Sequence, residues 1–422
     1  MLALLDNMDF RRLWLGQLAS SLGTWLLVVA VPLHVFDLTG STLATGLAFV
    51  AETLPAVLVG PVAGVLVDRV DRRRLMIGVD LLRALAVLSM LAADSAGRLW
   101  IIYAALLVEN GAAQLFRPAR QALVPSLLGG SDRLSAANAM FAAIDGLVRL
   151  VGSVAGGLLY LAIGFGGLVL TDTSSYLVSA AGCYLVQHRG LRRTTHRGRL
   201  AGPAGLAELR AGLAHLRSST PLRGMLLVTA VFYLSNGAIT ALLVPFARIE
   251  LRADPARFGY LLAALGCGYL LGTPLARWVI DRFSPRQAVA VSVPVLAGCY
   301  LAAFGPADYR TTLVAFAVSG MPAVVLLVAV QTDCQRRTPD ALLGRVTSTF
   351  LTVEMGVSVL GAATASLVAQ HTGVRPVIGV AVAGLTLLAT VVPRVLRPPG
   401  STDPPGSPEP PGPTRPAGSP AW

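Results

Sequence analysis

The chain reads as an all-α integral membrane protein with twelve transmembrane helices in two pseudo-symmetric six-helix bundles. Three observations lead there. Of the 422 residues, 54% are hydrophobic and only 13% charged, about half the charged share of a soluble domain. The apolar runs are long enough to cross a bilayer, which takes about 20 helical residues. The two halves also repeat one another at an offset of about 213 residues.

The runs place spans near 13–36, 43–67, 75–94, 99–119, 136–162, 167–187, 223–247, 257–280, 287–305, 311–332, 346–370 and 376–394. Each should be helical, because in hydrocarbon every backbone polar group must be satisfied within its own segment. The first run follows Asp6, Asp9, Arg11 and Arg12 and is too long for the core of a cleavable signal, so it is expected to remain as the first helix. The stretch from Leu134 to Gln187 is too long for one helix, and Gly164-Phe165-Gly166-Gly167 supplies a tight turn inside it. Two helices with a very short connection are expected there.

All 34 basic residues are arginine, and the formal net charge is +12. With twelve spans, 26 arginines fall on the side of the termini and six on the other, and Arg83 and Arg149 lie within spans. Positive residues collect on the cytoplasmic side. The expected placement is therefore a multi-pass protein of the cell membrane with both termini inside. The arginines are expected to meet anionic lipid heads, not nucleic acid.

The expected order is a six-helix bundle over 10–187, a cytoplasmic linker over 188–222, a second bundle over 223–396 and a disordered tail over 397–422. In the linker Leu206, Leu209, Leu213 and Leu216 recur at helical spacing, as in an amphipathic helix lying on the inner leaflet. The tail is rich in Pro, Gly and Ser and has little to bury.

The repeat is explicit in residues. Gly46, Pro61, Asp68, Arg69 and Arg73 align with Gly259, Pro274, Asp281, Arg282 and Arg286. Parallel halves of this kind point to a path between them.

The loop Gly64-Val-Leu-Val-Asp68-Arg69-Val-Asp71-Arg72-Arg73 resembles the signature loop of the major facilitator superfamily. Asp71 stands where a second Gly is usual, as in the enterobactin-exporter and macrolide-efflux branch. Asp9-Phe-Arg-Arg-Leu-Trp-Leu-Gly-Gln17, Phe116-Arg-Pro-Ala-Arg-Gln-Ala-Leu-Val-Pro125 and Thr338-Pro-Asp-Ala-Leu-Leu-Gly-Arg345 are similar to that branch too. The resemblance covers nearly all of residues 10–396. It implies a proton-coupled exporter of small amphiphilic molecules, of drug, macrolide or siderophore type, working by alternating access. An importer, facilitator or lipid transporter on the same fold is the alternative. Arg149-x-x-Gly152-x-x-x-Gly156-Gly157 is similar to the antiporter motif of drug exporters, with Ser153 and Ala155 in place of its usual Gly-Pro pair.

In the signature loop Gly64 allows close approach of helix ends, and Asp68 can accept hydrogen bonds from a helix N-terminus of the other half. Arg69, Arg72 and Arg73 can pair with acids or lipid phosphates. With Asp281 and Arg282 of the second copy, these residues form the expected inner gate.

A charge at mid-bilayer costs about 2.5–3.5 kcal/mol on insertion scales, so each one asks for a partner or a purpose. Asp145 and Arg149, four apart on one helix, can form an ion pair that protonation releases, or one that only stabilises the half. Asp80 and Arg83 read as a structural pair near the inner end, and Asp172 as a cap or helix-helix bond near the outer end. Glu52, Glu109 and Glu354 sit in their spans with no local basic neighbour. A lone carboxyl in apolar surroundings can carry a proton or bind a cationic substrate. Gln17, Asn110, Gln114 and Asn236 should face a cavity, since polar groups facing lipid are unfavourable.

The sequence holds no Walker loop, HExxH, GxSxG or dinucleotide fingerprint. The four cysteines and five histidines are scattered. No catalytic residue, metal or cofactor is expected, and a membrane-embedded enzyme or sensor is the remote alternative. The expected partners are the lipid bilayer, protons and a small organic substrate, with the chain working as a monomer.

Overall fold

The computed structural model describes residues 2–128, 132–187, 214, 216, 219–306 and 308–395. Among these it contains twelve α-helices and no strand. They are α1 (Met8–Thr39), α2 (Thr42–Leu58), α3 (Gly60–Val67), α4 (Arg72–Ser89), α5 (Leu99–Leu128) and α6 (Asp132–Leu185), then α7 (Thr220–Ile249), α8 (Pro255–Arg282), α9 (Pro285–Phe304), α10 (Tyr309–Arg337), α11 (Asp340–Thr372) and α12 (Val374–Val395). The tail over 397–422 and most of the linker lie outside the described residues. Of the linker's leucine stripe only Leu216 is described, and it is buried in the core of the second half.

Twelve helices and twelve crossings coincide only after two adjustments. The second span is broken: Val59 closes α2, and Pro61 sits in the first turn of α3. Proline lacks the N–H that would continue the ladder and is at home in a first turn. Conversely, α6 is one element of 54 residues with a single non-helical residue, Gly164, at φ 69° and ψ −179°. Its two arms supply the fifth and sixth crossings, so the expected four-residue turn is one residue. Only glycine adopts that backbone without strain. Phe165 beyond the break stacks on His34, ring centroids 3.8 Å apart. A Gly164→Ala variant is expected to lose about 1–3 kcal/mol, read as a lower thermal midpoint in detergent.

Six of the twelve helix starts are capped by short polar side chains. Asn7 accepts from the Asp9 and Phe10 amides at 3.0 and 3.1 Å. Asp71 accepts from the Arg74 amide at 2.9 Å, so the residue that replaces the usual glycine of the loop is the N-cap of α4. Ser284 and Gln287 form a reciprocal capping box on α9.

The chain forms two bundles. In the first, α1 packs along α6, and α4 packs on α5 and α6. In the second, α7 packs on α11 and α12, and α10 packs on α8 and α9. The bundles meet through α6 with α8 and α2 with α11. The repeated glycines serve these two seams. A Cβ on Gly46 would overlap Ser366 of α11, and a Cβ on Gly259 would lie 2.5 Å from the Ser153 carbonyl oxygen of α6. The same seam explains part of the glycine motif in α6: a Cβ on Gly157 would lie 2.3 Å from the Pro255 carbonyl oxygen of α8. Large apolar side chains such as Leu85, Val291, Val380 and Leu387 project outward from the bundles, as a lipid-facing surface requires.

These contacts cluster at the face away from the termini, here called the distal face. There Arg248 of α7 forms an ion pair with Asp37 of α1, and Tyr160 donates to the same carboxylate at 3.0 Å. At the termini face the signature loop is tied to its own half. Arg72 donates to the Ala122 carbonyl at 3.1 Å, and Arg73 donates to the Cys183 carbonyl at 3.0 Å and to that of Tyr184. Guanidinium groups on last-turn carbonyls complement the negative end of α6. The bundles are thus closed at the distal face, and the signature loop is exposed at the other.

Candidate functional site

The apolar core of the first half is split in two, one part around Phe10, Met76 and Phe141 and the other around Leu26, Val87 and Phe165. A charged layer lies between them. The second half has one continuous core.

At the centre of the layer is Arg83. The register of α4 places it twelve residues into the helix, far deeper than the inner end where the sequence suggested it. Its Nη2 lies 2.9 Å from Glu109 Oε1 of α5 and 2.7 Å from the Tyr176 hydroxyl of α6. Tyr176 in turn donates to Glu109 Oε1 at 2.8 Å and shares a 2.8 Å hydrogen bond with Thr24 of α1. The guanidinium carbon is 4.1 Å from the Tyr176 ring centroid. Asn110 donates to Glu109 Oε2 at 3.0 Å. Asp80 is fully buried 3.9 Å from Arg83 Nη1.

Two readings from sequence are corrected here. Glu109 is not without a basic neighbour: its partner stands 26 residues earlier, on another helix, where local spacing is blind. Arg83 and Asp80 are not a peripheral pair supporting the loop but part of this central network.

Asp172 is a third correction. It is 1% exposed and faces Gly23 across the α1–α6 contact. Its Oδ1 accepts from Ser175 at 3.0 Å, while Oδ2 has no hydrogen-bond partner. Glu52, Glu109 and Asp172 line one small cavity of about 20 Å³, room for about a single water. The fold therefore gathers acids from α2, α5 and α6 around one cavity, and Glu109 links that cavity to the Arg83 guanidinium.

Asp145 and Arg149 do not pair. Neither takes part in an ion pair within 4.0 Å among the described residues. Arg149 instead lies over two aromatic rings, 5.3 Å from Trp25 and 4.7 Å from Tyr269 of the second half. Cation–π contact with two faces draws it away from the residue one turn before. Asp145 opens into a polar cleft of about 210 Å³ beside the charged layer. That cleft also holds Gln17, whose Nε2 donates to Ser21 at 2.9 Å, together with Arg117 and Arg120. The sequence ended the fourth span near 119 and counted both arginines on the side of the termini; α5 continues to Leu128, so both lie on the helix.

Gln114 donates to the Asn110 carbonyl at a long 3.5 Å. Glu354 and Asn236 are half-buried on α11 and α7, remote in sequence and helix from the charged layer. In the signature loop Asp68 is 75% exposed at its side chain and meets Arg72 of its own loop at 3.9 Å. It makes no bond to the other half among the described residues. A Cβ on Gly64 would meet nothing within 4 Å. Arg69, Asp281 and Arg282 are exposed, Arg282 lying over the Trp278 ring. Among the described residues Asp68 and Arg72 thus bond within their own half and not across to the other.

Two broken-symmetric bundles, meeting through two helix pairs around a buried charged layer, define a transporter of the major facilitator type. The family described as Transmembrane secretion effector matches residues 1–409. The chain belongs to that family, within the major facilitator superfamily. It is 27% identical over 366 residues to the MFS-type transporter YfiS of Bacillus subtilis, covering 85% of this chain and 86% of that one. It is 24% identical over 375 residues to macrolide efflux protein A of Streptococcus pyogenes, covering 87% and 91%. A bacterial homologue of the iron transporter ferroportin, in an inward-facing state, superposes with a TM-score of 0.75 at 15% identity, over 92% and 98% of the two chains. The protein is thus a multi-pass membrane transporter, a fold and family distinct from those of enzymes.

Proposed function

We propose that the protein exports small amphiphilic organic molecules across the cell membrane in exchange for protons, with both termini cytoplasmic. The observation behind this reading is the Arg83–Glu109–Tyr176 network with Asp80, Glu52 and Asp172 around it. One guanidinium cannot balance four carboxylates in a low-dielectric site, so the cluster as a whole must hold protons. Its surplus of acids makes it a store whose occupancy can change during a cycle.

In this reading, a proton reaching Glu109 weakens its hold on Arg83 and Tyr176. The three helices that the network ties together, α4, α5 and α6, are then free to shift against α8. Opening the distal face requires breaking the Asp37–Arg248 pair and the Gly157–Pro255 contact. Closing the termini face brings the signature loop, with Asp68, against the second half. A proton entering down about 100 mV supplies about 2.3 kcal/mol before any pH gradient. The arginine bias supports cytoplasmic termini, which makes the conformation described here inward-facing. Similarity to a macrolide efflux protein supports the outward direction of transport.

The test is substrate flux in everted membrane vesicles from cells with and without the protein, using a panel of fluorescent amphiphiles. Accumulation that collapses on adding an uncoupler is expected. Flux indifferent to the uncoupler would overturn proton exchange, and movement in the opposite sense would assign an importer.

A further inference from the structure

The polar cleft beside the charged layer has the wrong inventory for a neutral or cationic ligand. Its charged lining is Arg83, Arg117, Arg120 and Asp145. Arg83 is engaged by Glu109, though its buried Nε has no acceptor. Arg117 and Arg120 form no hydrogen bond and no ion pair among the described residues. Arg120 is held from the side by the Phe141 ring, 4.3 Å from its guanidinium carbon. That contact holds the half-buried group from its face, with no protein acceptor on its N–H donors among the described residues. Each guanidinium presents five donors and no acceptor, so the cleft is rich in donors and has a single carboxylate to receive them. Trp25 and Phe116 in the same lining add aromatic faces.

We infer that this cleft binds the anionic head of an amphiphile, with Arg117 and Arg120 taking the oxygens of a carboxylate, phosphate or sulfonate and Trp25 and Phe116 contacting its apolar body. Guanidinium forks match such oxygens two at a time. Asp145 opposes the anion and weakens its hold, which suits a site that must also release. The inference narrows the export reading to anionic amphiphiles and rests on it for the identity of the cargo.

Binding to the purified full-length protein, without any gradient, tests the site separately from coupling. The probes are 1-pyrenebutyrate and its 1-pyrenebutyltrimethylammonium counterpart, followed by energy transfer from tryptophan. The anion is expected to bind at least about tenfold tighter than the cation. Arg117→Gln and Arg120→Gln should each weaken the anion about tenfold without weakening the cation, as expected for loss of a charged hydrogen bond. Asp145→Asn should tighten the anion about threefold. The last variant adds no buried charge, so it tests the sign of the site even where an arginine variant fails to fold. Equal or tighter binding of the cation overturns the inference. So does unchanged anion affinity in arginine variants that keep the wild-type thermal midpoint. Competition then separates the sources of the anion. Displacement at lower concentration by dioctanoyl phosphatidylglycerol than by octanoate assigns the site to lipid heads, and the reverse assigns it to soluble carboxylates. Uncoupler-sensitive export with no preference for anions would sink this inference alone.

Discussion

Replacing Arg83 by methionine is expected to abolish coupled transport and to lower stability by about 3–5 kcal/mol, because breaking a buried ion pair strands the remaining charge. Among the described residues the guanidinium is the one cation in contact with Glu109, Asp80 and Tyr176. The double variant R83M/E109L separates structure from function. Replacing both partners by apolar groups of similar volume is often neutral or stabilising, so the double variant should recover part of the lost thermal midpoint, with Asp80 still left without its cation. It should not recover uncoupler-sensitive flux. If R83M/E109L transports normally, the network is a structural fastener and the proton must travel elsewhere. Thermal unfolding in detergent and flux in vesicles, measured on the same three proteins, decide between the two.

Gly157→Val is expected to hold the distal face open and to stop turnover. A Cβ there would stand 2.3 Å from the Pro255 carbonyl oxygen and 3.1 Å from Ala256 Cα, so backbone must yield and not a flexible side chain. The strain is relieved by parting α6 from α8, which is the movement that opens this face. Labelling of a Thr39→Cys probe by an impermeant maleimide, in a background lacking the four native cysteines, should rise several-fold over the parent. Gly298→Val is the control. A Cβ at that position meets nothing within 4 Å, and both labelling and flux should stay at the parent level. Unchanged labelling in Gly157→Val would show that the seam relaxes without moving the bundles.

Much of the molecule was legible before any coordinates. Spans, the repeat and the break at Gly164 follow from local rules: a bilayer needs about 20 apolar residues, and a helix that must fold back on one residue needs a glycine. The offset that pairs Gly46 with Gly259 also marks the two seams between the bundles. The candidate site was legible in its parts but not in its pairings. Glu109 and Asp172 stood out as buried acids, yet one read as isolated and the other as a cap or helix-helix bond. Tyr176 gave no signal, since a tyrosine in an apolar run is ordinary. A charge-balance argument held a partial clue: an arginine inside a span must find an acid, and Glu109 was one of three acids, with Glu52 and Glu354, left unpaired. Asp145 and Arg149 show the opposite error, a helical spacing that permits a pair which the neighbouring rings of Trp25 and Tyr269 forestall.

The division has one physical cause. Hydropathy, helix breaks and charge bias act within a single segment or between segment and solvent, so membrane class, twelve crossings, duplicated halves and family membership could be read from residue order. Which charge meets which depends on the axial register and rotation of helices packed side by side. That placement brought Arg83 to Glu109 and Tyr176, and it turned two arginines at the apparent end of the fourth span, Arg117 and Arg120, into the wall of a cleft. Neither arrangement is written in the spacing along any one helix, and only the packed bundle decides them.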